Sequence, residues 1–73
     1  MKKFVIKVKN NHKTPIYIGM NNGEPTKTIS AHFAEIFIHE DIAKRKIDSL
    51  SKSFPDDTFY VQAVNVDITE EKE

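Results

Sequence analysis

The residues of this chain with the widest chemical repertoire are its three histidines and its carboxylates, and His32, Glu35 and His39 fall close together in sequence. Such side chains hold a metal ion only if they converge on one point. On an extended segment, residues at odd spacing point to opposite faces, so His32 and Glu35 diverge. His39 falls at or beyond the segment's end, and the spacing predicts exposed or helix-capping histidines with no metal site. Glu40-Asp41 and Asp56-Asp57 are adjacent carboxylate pairs. General acid and base work needs two carboxylates whose environments separate their pKa values, whereas these pairs suit a helix first turn and a chain reversal. Ser30, Ser49, Ser51 and Ser53 lack a nucleophile elbow, and Gly19 and Gly23 do not make a phosphate loop. The chain has no cysteine, which excludes disulfides, thiolate metal sites and a cysteine nucleophile. A non-enzymatic protein without a cofactor is the expectation.

Binding chemistry is the alternative. Lys+Arg and Asp+Glu are 11 each, and the pI is near 6.8. That balance excludes a dedicated polyanion binder or a DNA mimic built on an excess of one sign. The distribution is nevertheless polar. Lys2, Lys3, Lys7, Lys9 and Lys13 open the chain without an acid, and Asp56, Asp57, Asp67, Glu70, Glu71 and Glu73 close it against Lys72 alone. Lys7, Lys9 and Lys13, with Tyr17, could form a basic and aromatic strand face that touches nucleic-acid backbone. Arg45 is the one arginine, which argues against bidentate base readout. Solvated lysines that discourage edge pairing are the simpler expectation.

These residues must be positioned by a small scaffold. At 73 residues and 8.4 kDa the chain supports one core, with little room for a deep pocket. No apolar run approaches the roughly 18 residues of a membrane span, so a soluble, cytoplasmic protein is expected. Residues 4–9 alternate, with Phe4, Ile6 and Val8 on one face and Val5, Lys7 and Lys9 on the other. Residues 16–20 alternate again, with Tyr17 and Gly19 outward. Asn21-Asn22-Gly23-Glu24-Pro25 is the clearest turn. A third strand is expected within residues 29–38. Residues 40–54 change period, with Ile42, Ala43, Ile47, Leu50 and Phe54 on one helical stripe that Pro55 ends. Residues 58–68 alternate as a fourth strand, and residues 69–73 read as an acidic frayed tail beyond a single domain of residues 1–68. The expected fold is α+β: a four-stranded, mostly antiparallel sheet with one helix packed on one face, in the order β-β-β-α-β. A strand order of 3-2-1-4, with the fourth strand parallel to the first and third, brings the basic strand beside the acidic end.

The third segment sets Phe33 and Phe37 on one face and Ala34, Ile36 and Ile38 on the other. One helix cannot cover both. Either the second face is open to a partner or a second copy of the chain, or the strand breaks near Phe33 and both sets turn inward.

With Ala34-Glu35-Ile36-Phe37 ahead of the helix and Phe54-Pro55-Asp56-Asp57-Thr58-Phe59 after it, the chain resembles small uncharacterised proteins of Gram-positive phages and prophages, over roughly residues 4–66. The resemblance implies a setting, an accessory gene of a mobile element in a low-GC bacterium, and carries over no catalytic residue. In that setting the expected function is an interaction protein that binds and modulates a host or defence protein, as an anti-defence factor does. Phe33 and Phe37 are the expected contacts, with Tyr17 and Tyr60 as aromatic anchors. A nucleic-acid-binding domain using Lys7, Lys9 and Lys13 is the alternative.

Overall fold

The computed structural model describes residues 2–11 and 13–64. Within them the chain forms β1 (Lys3–Val8), β2 (Ile16–Asn21), β3 (Glu24–Thr28), a 3-10 turn (Ala31–Phe33), α1 (Glu40–Ser53) and β4 (Phe59–Val64). Asp67, the expected extension of the fourth strand to Ile68 and the expected tail of residues 69–73 lie outside the described residues. The four strands make one sheet in the order β3-β2-β1-β4. No helix among the described residues is long and apolar enough to cross a membrane.

The β2 to β3 turn follows from two residue types. Asn22 and Gly23 both have positive φ, at 53° and 81°, as a two-residue hairpin turn with the twist of its strands requires. Asn21 and Glu24 pair directly across it. The third strand is therefore Glu24–Thr28 rather than part of residues 29–38. Its sequence is polar and contains Pro25, which suits a sheet edge and gives no apolar alternation to read.

Residues 29–38 instead cross the sheet. β1 and β2 pair directly only at Lys7↔Tyr17 and Val8↔Ile16, and beyond those pairs the strands splay. The crossing chain fills the gap. The Glu35 N–H donates to the Ile18 carbonyl at 3.0 Å, and Phe4 and Phe37 exchange reciprocal backbone bonds of 2.8 Å. This passage reverses the chain once more before α1 begins. The fourth strand is consequently antiparallel to β1, along Lys3↔Val64 to Val8↔Phe59, and not parallel as three strands plus one helix would predict.

The helix starts after His39, which caps it without a side-chain hydrogen bond, and carries Glu40 and Asp41 in its first turn and Lys52 in its last, as its dipole favours. Its 14 residues span about 21 Å, close to the length of the six-residue strands it covers. Ala43 and Leu50 are buried against Ile6, Val8, Ile18, Phe37 and Phe59, with Ile47 and Phe54 packed at the margin. Ile42, expected on the same stripe, is about half exposed. A smaller cluster of Val5, Tyr17, Ala34 and Val64, with Ala31 beside it, occupies the opposite face. That second face is not bare: the crossing segment roofs part of it.

Candidate functional site

The four aromatic residues expected at a partner surface fall into different surroundings. Phe33 ends the 3-10 turn and is 75% exposed, whereas Phe37 is 7% exposed and belongs to the helix-side core. The expectation that both share an uncovered face is thus corrected. The reciprocal bonds to Phe4 turn Phe37 under the helix, and no periodic strand joins the two rings. Tyr17 is also buried, at 6%, and does not point outward into solvent as its alternation suggested. Tyr60 remains 41% exposed on the second face.

Lys7 is the largest departure from expectation among the basic residues. It is 9% exposed, with its ammonium 5.6 Å from the Tyr17 ring centroid and 5.8 Å from that of Tyr60. Both rings flank it because Lys7 pairs with Tyr17 on one side and Tyr60 on the other. A cation between two π faces is held by the ring quadrupoles, and a lysine so enclosed is not a solvated phosphate contact. Lys9 and Lys13 are exposed.

His32 and His39 lie apart from any strand. His32 is exposed within the 3-10 turn, and His39 is exposed at the helix start. Glu35 sits in the crossing segment with one carboxylate oxygen, Oε1, buried and without a hydrogen-bond partner. Among the described residues no group of three or more His, Asp or Glu side chains comes together in an arrangement that could hold a metal ion.

Exposed apolar side chains are concentrated in one stretch of the sequence. Of the large hydrophobic residues exposed among the described residues, Ile29, Phe33, Ile36, Ile38 and Ile42 belong to one stretch, the crossing segment and the first helical turn. Met20 of β2 is also exposed. It lines, with Phe33, Asn21, Thr26, Lys27 and Thr28, an open groove of about 300 Å³ at the β2 to β3 side. Met20 also approaches Lys46, whose Nζ lies 3.9 Å from its sulfur, one helical turn beyond Ile42. Sequence reading singled out Phe33 but missed Met20, Ile29 and Ile38. The available signal was a high density of apolar residues in 29–38 without a period that would bury them.

Comparison with protein-family models, with curated proteins and with solved structures returned no match.

Proposed function

We propose that this chain is a small non-enzymatic interaction protein that binds another protein through the apolar surface of residues 29–42. The observation that supports this reading is the 75% exposure of Phe33 at the centre of that stretch. Phe33 and Met20 line a groove with the polar Asn21, Thr26 and Lys27, which sets an aromatic anchor beside polar groups as protein contacts do. The resemblance to phage and prophage proteins suggests the partner: a host or defence protein of the infected bacterium, modulated in the cytoplasm. No reaction is assigned to the chain.

The test is comparative capture. The wild-type chain and Phe33→Asp are each used as bait in lysate of a low-GC Gram-positive bacterium, with folding checked by circular dichroism. A protein retained by the wild type and lost with the folded variant supports the reading. Equal retention by both removes Phe33 as the contact.

A further inference from the structure

The two outer edges of the sheet are built differently. Along an antiparallel strand, residues that exchange hydrogen bonds with one neighbour turn their N–H and C=O groups away from the other. The two-residue turn makes Asn21↔Glu24 a bonded pair, so Glu24, Thr26 and Thr28 face β2, and Pro25 and Lys27 face outward. Pro25 has no N–H to offer, and the Lys27 side chain is drawn back to Asp57 at 2.5 Å. Proline and lysine are the residues that keep a further strand off an edge.

β4 carries neither. Phe4 spends its N–H and C=O on Phe37, so it faces away from β4, and its pairing partner Ala63 must face away from β1. The Lys9 N–H donates to the Thr58 carbonyl at 2.8 Å, which fixes the same alternation at the other end. The outward-facing residues of β4 are therefore Phe59, Val61 and Ala63. The strand Phe59–Val64 contains no charge and no proline, and among the described residues no strand pairs with this edge. The Ala63 carbonyl accepts a bond of 3.2 Å from the Gln62 side-chain amide, a local contact that an incoming N–H can replace.

We propose that this edge pairs with the β4 edge of a second copy, antiparallel, about a two-fold axis through Val61. The outward set is symmetric about that residue. Val61 meets Val61 of the second copy, and Phe59 meets Ala63 on each side, giving about six backbone hydrogen bonds in one continuous sheet. The register keeps Phe59, Val61 and Ala63 on the helix side in both copies, and a one-residue slip would lose this. Large side chains face smaller or flexible ones, Phe59 against Ala63 and Tyr60 against Gln62, and no like charges meet. The surface is the sheet edge opposite β3, so this pairing stands independently of the Phe33 contact.

Sedimentation equilibrium over rising concentration tests it, using the full chain, Val61→Pro, and the double variants Tyr60→Glu/Gln62→Glu and Tyr60→Glu/Gln62→Lys, each checked for folding. The wild type is expected to approach twice the chain mass. Val61→Pro removes an outward N–H and should stay at single mass. In the Glu/Glu variant, position 60 of one copy opposes position 62 of the other with like charge, which should also give single mass. Glu/Lys pairs opposite charges there and should restore the doubled mass. Single mass for the wild type up to about 1 mM overturns the proposal and leaves the edge to a strand of another protein. A doubled mass that the folded Glu/Glu variant retains, or a folded Glu/Lys variant that stays single, also overturns it.

Discussion

The carbonyl oxygen of Phe33 lies against Gly19, in the space where any other residue at that position would carry its Cβ. Gly19, in mid-strand and without a positive φ, is therefore required by close approach rather than by its backbone conformation. The crossing segment can lie on β2 only because that position has no side chain.

Gly19→Ala should then destabilise the protein by about 1–3 kcal/mol, since backbone rather than a flexible side chain must give way. Urea unfolding measures the loss. Amide chemical shifts should move most in residues 30–35, and shifts confined to β3 would contradict the account.

Gly23→Ala is expected to lose stability for a different reason. A Cβ there meets nothing within 4 Å, but φ is +81°, so the strain is purely conformational, about 1–2 kcal/mol. Gly23→Asn, which tolerates this region better, should recover part of the loss in the same unfolding assay.

The two phenylalanines of the crossing segment should separate cleanly. Phe37→Ala empties a core position and is expected to cost about 3–5 kcal/mol. Phe33→Ala should change stability by no more than about 0.5 kcal/mol. Similar losses for both would mean that Phe33 is buried in solution.

Along the helix, Leu50→Ala should cost about 2–5 kcal/mol and Ile42→Ala far less, because Leu50 is fully enclosed and Ile42 is half exposed. Thermal or chemical unfolding of the two variants side by side gives the comparison.

The Lys27 ammonium has two partners, the Asp57 carboxylate at 2.5 Å and the Phe54 ring, whose centroid lies 5.3 Å away. Asp57→Asn should remove only about 0.2–1 kcal/mol, as expected of a partly exposed ion pair. The difference from wild type should shrink in about 1 M salt, where such pairs are screened.

Much of this fold is legible in the sequence where burial imposes a period. β1 and the helix declare themselves through Phe4, Ile6 and Val8 at spacing two and Ala43, Ile47 and Leu50 at spacings of three and four. The Asn22-Gly23 turn is legible through its chemistry. β3 is not, because a polar edge strand needs no apolar alternation to be paired. The passage through residues 29–38 is read as a strand because its residue types favour one. Its bonds are single bridges, Gly19↔Ala34 and Phe4↔Phe37, which local pattern cannot reveal. From that one misreading follow both the wrong direction of β4 and the placing of Phe37 at the surface. Phe33 was identifiable by type, yet its exposure depends on where the 3-10 turn ends.

The pairing of β1 with β4 along all six residues, Lys3–Val8, bears on how the chain comes to be folded as it is made. At a synthesis rate of about 5–20 residues per second, the roughly fifty residues between the two strands delay completion of β1 by several seconds. During that interval the β2 to β3 hairpin can close locally within microseconds. Val5, Ile6 and Val8 meanwhile wait without the neighbour that finally shields them. Cellular factors that hold nascent apolar segments should therefore meet this protein at β1, and a β1 whose alternation is made more polar should depend on them less.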